Sequence, residues 1–127
     1  MKRILIIGSS GMAGHMIKNV LGQTHDFNIY DIARDDQYGK VSYQFDVTDF
    51  EKLKITLINL QPHYVINCVG ILNMQAEEHP ANAILINSYL PHFLAEICTK
   101  LNLRLIHIST DCVFSGKKGN YIEKDFK

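Results

Sequence analysis

Charge of one sign is what this sequence lacks most plainly. Its 127 residues hold 13 Lys plus Arg against 13 Asp plus Glu, a formal net charge of zero. That balance gives no footprint for nucleic acid or an anionic membrane. Long apolar runs are also missing, and none approaches the ~20 residues of a bilayer span. Behind Lys2 and Arg3 the apolar stretch Ile4–Ile7 stops at Gly8, too soon for the core of a signal peptide. A cytoplasmic protein with no nucleic-acid or membrane partner is the expectation. Cysteine is scarce. Cys68, Cys98 and Cys112 are odd in number and contain no C-x-x-C pair, which argues against a disulfide framework or a cysteine zinc site. The six histidines include no H-x-x-x-H, so no metal site is expected. No internal repeat or linker marks a second domain, and residues 1–127 read as one domain.

What is present is alternation. Ile4–Ile7 reads as a buried strand. From Met12 the spacing changes, placing Met12, Met16, Val20 and Leu21 on one helical face. Phe27–Ala33 reads as a second strand and Val41–Phe45 as a third. Thr48 and Glu51 match a capping box at a helix start. Phe50, Leu53, Leu57 and Leu60 supply that helix's stripe, and Pro62 follows its end. Tyr64–Val69 is a continuous apolar run of the kind buried on both faces of a sheet. Ile86, Leu90, Phe93, Leu94, Ile97 and Leu101 then repeat at helical spacing, with Pro91 predicting a kink or break. Leu103–Ile108 reads as the fifth strand. Alternating strands and helices without hairpin signals predict a doubly wound parallel α/β sheet. Ligands of such sheets lie beyond the carboxyl ends of the strands, so the residues after each strand are the ones to inspect.

After the first strand stand Gly8, Gly11 and Gly14, spaced by three. Glycines here permit a sharp turn, close approach of phosphate to backbone, and tight packing of helix on strand. The helix N-terminus adds free N–H groups for a pyrophosphate. After the second strand come Asp31 and Arg34. An acidic residue would hold a ribose 2′-hydroxyl and an arginine a 2′-phosphate. With Ala33 ending the strand, Arg34 faces the ribose, so NADP(H) is favoured and NAD(H) stays open. Asp46, after the third strand, is placed to accept from an adenine amino group. After the fourth, Gly70 lets a ribose lie close and Asn67 can lock the loop. Ser109 and Thr110, after the fifth, carry hydroxyls able to hydrogen-bond a substrate carbonyl.

Together these segments resemble the extended short-chain dehydrogenase/reductase family. Gly8, Gly11 and Gly14 match its G-x-x-G-x-x-G, and Asp46-Val47 its adenine-contacting pair. Asn67-Cys68-Val69-Gly70 stands where it often has N-A-A-G. Asn87 matches the asparagine in the helix after its fourth strand. Within the family the resemblance is greatest to the dTDP-4-dehydrorhamnose reductase group. His107–Gly116, HISTDCVFSG, is similar to that group's H-I-S-T-D-Y-V-F-D-G, and Tyr121, Glu123 and Asp125 to its Y-x-E-x-D. Cys112 and Ser115 depart from it.

The resemblance implies a Rossmann fold and a cofactor site including Ser10, Met12, Ala13, Cys68, Val69, Asn87 and Ser109 beside the residues above. It implies Thr110 and Asp111 as catalytic residues, and reduction of a nucleotide-linked 4-keto-deoxysugar with a tyrosine as proton donor. The family's Tyr-x-x-x-Lys is not met here. Four places after Tyr30, Tyr64, Tyr89 and Tyr121 stand Arg34, Cys68, Phe93 and Asp125. The chain therefore reads as the amino-terminal part of a longer enzyme, ending before the catalytic helix and the substrate lobe. Two other readings stay open: a non-catalytic nucleotide-binding regulatory subunit, like that of methionine adenosyltransferase, and a sugar-nucleotide epimerase or dehydratase. The reading also leaves a homo-oligomer open.

Overall fold

The computed structural model describes the backbone of residues 1–127 and every side chain except that of Asp111. Strands β1 (Lys2–Ile7), β2 (Phe27–Ala33), β3 (Tyr43–Gln44), β4 (Tyr64–Asn67) and β5 (Arg104–His107) form one parallel sheet in the order β3-β2-β1-β4-β5. Helix α1 (Met12–Gly22) connects β1 to β2, and α2 (Phe50–Leu60) connects β3 to β4. Short helices α3 (Met74–Glu78) and α4 (Pro80–Ile84) lead through a π-helical turn, Leu85–Tyr89, into α5 (Leu90–Lys100). The strand order reverses between β1 and β4, at the centre of the sheet.

The core is a two-sided reading of β1. Leu5 and Ile7 face Leu53 and Leu57 of α2 and Leu90, Leu94 and Ile97 of α5. Ile4 and Ile6 face the other way, with Ile66, against Ile17 and Leu21 of α1. All four β1 isoleucine and leucine side chains are buried. Each contributes about 1.5–3 kcal/mol through apolar burial.

Of the expected apolar face of α1, Leu21 packs on the sheet and the other three residues do not. Met12, Met16 and Val20 are 87%, 54% and 57% exposed. The face on the sheet is Gly14 with Ile17 and Leu21. Gly14 sits so close to Gly8 that a side chain there would enter the Gly8 carbonyl. Steric room, not apolarity, chose that face.

The start of α2 also shifts by one residue. Asp49 is the N-cap, accepting from the Lys52 N–H at 3.1 Å. Thr48 instead turns its hydroxyl onto Asp46 Oδ1 at 2.8 Å. At the far end Gln61 takes a left-handed conformation. The Arg3 guanidinium donates to the Leu60 and Gln61 carbonyls, supplying partners that a helix end otherwise lacks.

The ladders of β3, β4 and β5 are shorter than the expected strands because their ends peel away to form the loops. Cys68 still donates to the Ile7 carbonyl at 2.9 Å, and Ile108 to that of Asn67 at 3.0 Å. Around Pro91 a short helix is followed by a longer one, the break that its position predicts. Pro91 lies in the first turn of α5, and the π-helical turn before it absorbs the mismatch. In a regular helix its ring would collide with the Asn87 carbonyl, four residues back. Among the described residues no helix is long and apolar enough to cross a membrane, and no group of His, Cys, Asp or Glu could hold a metal ion.

Candidate functional site

At the carboxyl ends of the central strands lies a cleft of about 530 Å³. Gly8, Ser10 and Gly11 line it from the turn after β1, and Ile32, Ala33 and Arg34 from the end of β2. Phe45, Asp46 and Val47 come from beyond β3, and Cys68, Val69 and Gly70 from beyond β4. Four chain segments far apart in sequence thus converge as their strand-end positions predict.

The three glycines divide their work. Gly8 adopts φ +86°, and a side chain there would strike Val69. Gly14 lies outside the cleft lining and takes the third of the expected glycine roles, the tight packing of helix on strand. A Cβ on Gly11 would meet only the Gly8 carbonyl oxygen at 3.5 Å, an ordinary contact. No packing reason therefore demands glycine at 11, which faces the cleft. Gly11 is also the N-cap of α1, with no side-chain cap and no acidic residue in the first turn. The first N–H groups and the positive end of the helix dipole are left for an anion.

Other expected residues fall outside the lining. Met12 points to solvent and Ala13 is half-buried. Asn67 is fully buried. Its Oδ1 accepts the Val69 N–H at 3.2 Å, so it shapes the loop that forms the cleft floor. Asn87 has the same kind of role. Its carboxamide accepts from the Ile71 N–H at 2.8 Å and donates to the Ile71 carbonyl at 2.7 Å. Ser109 and Thr110 stand exposed beyond β5, apart from the lining. Thr110 Oγ1 accepts the Cys112 N–H at 3.1 Å. The side chain of Asp111 lies outside the described residues.

Asp46 sits where expected. Its Oδ1 accepts the backbone N–H and the hydroxyl of Thr48. The N–H bond, then the hydroxyl and the charge of Arg34, outweigh partial burial and hold the carboxyl below its ordinary pKa. It is an anionic acceptor at neutral pH.

Asp31 is withdrawn from the cleft. Its carboxylate is buried and accepts from Ser9 Oγ at 2.6 Å, Lys18 Nζ at 2.7 Å, and the N–H and hydroxyl of Ser42 at 2.8 and 2.9 Å. It ties the glycine turn, α1 and the approach to β3 into one unit and has no capacity left for a ribose. On this flank a wider depression of about 610 Å³, with Lys18 and Lys40 on its rim, lies away from the strand ends. Burial would raise the Asp31 pKa, but the bonds from Lys18, Ser9 and Ser42 prevail and lower it. Its stabilisation is therefore complete above the unfolded pKa of about 3.9 and is lost as pH falls through the lower folded value. Asp31→Asn should cost about 2 kcal/mol at pH 7, with the gap narrowing at pH 3. Urea denaturation followed by circular dichroism at both pH values checks this, and a gap independent of pH would show that the folded carboxyl is not ionised.

Sequence reasoning missed one wall of the cleft. Gln75, Glu78, His79 and Asn82, on and between α3 and α4, close it opposite Arg34 and Asp35, and Gln37 joins the rim. None lies at a strand end or in an apolar repeat. The one available signal was Pro80, a residue favoured in a first helical turn.

A five-stranded parallel sheet of this order, with helices on both faces and a glycine turn at the reversal of strand order, defines a Rossmann-like α/β protein. The chain belongs to the family described as RmlD substrate binding domain, whose family model matches residues 1–127. It is similar to the dTDP-4-dehydrorhamnose reductase of Aggregatibacter actinomycetemcomitans, 28% identical over 127 residues, covering 98% of this chain and 40% of that protein. Among solved structures, a hypothetical dTDP-4-dehydrorhamnose reductase from Sulfolobus tokodaii superposes with a TM-score of 0.81 at 31% identity, covering 98% of this chain and 45% of the other. The Bacillus anthracis dTDP-4-dehydrorhamnose reductase, solved in complex with NADP, gives 0.78 at 26% identity, covering 94% and 40%. The chain spans about two fifths of the length of the curated relatives it matches.

Proposed function

We propose that this chain is the nicotinamide-dinucleotide-binding part of a reductase that acts on a nucleotide-linked 4-keto-deoxysugar, with NADP(H) preferred. The observation that carries the reading is the N-terminus of α1. Its cap is a glycine that no packing contact requires, its first turn is free of carboxylates, and both open into the cleft. The matched relatives are dTDP-4-dehydrorhamnose reductases, which supports the sugar substrate, and residues 1–127 are then part of a dinucleotide-binding domain of the short-chain dehydrogenase/reductase type.

The residues present fit such a dinucleotide. Gly8, Gly11 and the α1 N-terminus hold the pyrophosphate, Asp46 accepts from the adenine amino group beside Val47, and Gly70 admits a ribose. Arg34 provides a charge-assisted hydrogen bond to a 2′-phosphate, and Asp31 is engaged by Ser9 and Lys18 and so is not free to take a ribose hydroxyl. When bound, the nicotinamide supplies hydride to a keto carbon. Thr110 donates its hydroxyl proton in a hydrogen bond to the keto oxygen, oriented by the Cys112 N–H it accepts. Asp111 positions the sugar or the acid. Ile106 and Ile108, each 42% exposed at the β5 edge, favour association of this polypeptide with further chain, consistent with a homo-oligomer.

Arg34→Ala tests the cofactor choice. NADPH affinity should fall roughly 30-fold, the worth of a hydrogen bond to a charged group, while NADH binding changes little. Isothermal titration with both nucleotides reads the result. Equal losses would show that Arg34 does not recognise the phosphate.

A further inference from the structure

The segment between β2 and β3, residues 35–42, carries no apolar pattern, yet it is fastened across the first turns of α1 along its whole length. Gln37 Nε2 donates to the Ser10 carbonyl at 3.0 Å. Tyr38 stacks on His15 of α1 with ring centroids 4.2 Å apart. Lys18 Nζ donates to the Lys40 carbonyl at 2.9 Å, and Ser42 is held on Asp31. A void of only about 10 Å³ remains between this strap and the helix, near the smallest that admits one water.

The strap places two residues in the cleft lining, Asp35 and Gln37. Asp35 Oδ1 accepts the Gln37 N–H at 3.3 Å, forming a tight turn. That turn sends the Gln37 carboxamide back to the glycine loop. Gln37 there lines the cleft together with Ser10 and Arg34.

We infer that Gln37 is a specificity-determining residue, completing with Arg34 and Ser10 a subsite for a phosphomonoester at the outer corner of the cleft. This rests on the reading of the cleft as a dinucleotide site and names the part of that ligand the strap recognises, the 2′-phosphate. The chemistry of the three groups is complementary. Arg34 brings charge and a fork of donors. The Gln37 amide has two N–H donors, of which the Ser10 carbonyl engages one. Ser10 adds a hydroxyl. Because Tyr38 and the Asp35 turn hold the strap in place without ligand, the amide is already positioned, and binding does not have to order it. A ribose hydroxyl, uncharged, gains far less from the same donors.

The test is titration of residues 1–127 with NADPH and with NADH. Gln37→Ala should weaken NADPH about tenfold, the low end of the worth of one hydrogen bond to a charged group because the amide is itself neutral, and leave NADH within about twofold. Gln37→Glu should weaken NADPH further, since a carboxylate there repels the phosphate, and still spare NADH. Tyr38→Ala, which releases the strap from His15, should move the NADPH to NADH ratio in the same direction. An unchanged ratio in Gln37→Ala overturns the assignment of Gln37 alone, as does an equal loss for both nucleotides. If the unsubstituted chain binds neither, the dinucleotide reading fails and this proposal with it.

Discussion

Gly14→Ala should destabilise the protein by more than about 4 kcal/mol, whereas Gly11→Val should leave it folded and abolish tight nucleotide binding. The difference lies in what each new side chain meets. At Gly14 a Cβ would run into the Gly8 carbonyl oxygen, with the carbonyl carbon at 2.8 Å and Ser9 Cα at 3.0 Å. All three are backbone atoms of the turn that Asp31 clamps through Ser9, so none can swing aside. The helix would have to lift from β1, opening the packing of Ile17 and Leu21 on Ile4 and Ile6. A domain is stable by only about 5–15 kcal/mol, so this loss is a large share of the total. At Gly11 the added atoms face the cleft, with φ at −83°, which any residue can adopt. Thermal melts separate the variants, and calorimetry with NADPH reads binding. Similar melting losses in both would refute the division of roles, and full NADPH affinity in Gly11→Val would remove the phosphate from this turn.

A polypeptide of residues 1–127 should bind NADPH yet show no reductase turnover. Reducing a ketone needs a proton donor beside the carbonyl oxygen, and a positioned acid contributes typically ~10²–10⁴-fold. Thr110 is an aliphatic alcohol, a far weaker acid than a phenol. The tyrosines do not supply the missing pair. Tyr38 and Tyr43 are followed four places on by Ser42 and Val47, and no other tyrosine is followed there by lysine either. At Tyr121 the Ser115 hydroxyl and then the Lys118 N–H lower the phenol's pKa. Those same groups occupy its oxygen at 3.1 and 2.8 Å, and its ring is stacked on Phe114. It serves to close the loop from Phe114 to Asp125 and is not presented to a substrate. Holding the sugar in a reactive pose is a second requirement. The check is NADPH oxidation with a panel of nucleotide 4-keto sugars, using a full-length dTDP-4-dehydrorhamnose reductase as the positive control. Turnover by residues 1–127 at a comparable rate would require an acid among the residues named here.

Much of this was legible because the informative residues are local. A glycine spacing after an apolar strand announces the turn, and Asp46 and Gly70 announce themselves by following strands. Where the reading failed, the cause was a contact between distant segments. Met12, Met16 and Val20 satisfy helical spacing, but the helix rotates to put Gly14 on the sheet, and an index of apolarity gives glycine no weight. Asp31 has the chemistry of a ribose ligand, and the approach of Ser9, Lys18 and Ser42 from three separate segments commits it elsewhere. Thr48 and Asp49 are both good N-caps, and the pull of Asp46 on Thr48 decided between them. Gln37 and the wall around His79 lie in segments without period, so their place in the cleft depends wholly on how those segments fold back.

The wide turn at Leu85–Tyr89 makes chain length itself a determinant of the cleft. Leu90 donates to the Leu85 carbonyl, five residues back instead of four, so the segment holds one residue more than a regular helix of the same span. Deleting any one residue there would let the helix close into α geometry. The helices on either side would keep their relative orientation, while the residues within the turn would change faces. Asn87 would lose Ile71, Ile86 would leave the cleft wall, and Pro91 would meet a carbonyl again. A point substitution in this stretch alters one contact, but a single-codon deletion would re-aim several side chains of the turn at once, Asn87 and its hold on Ile71 among them.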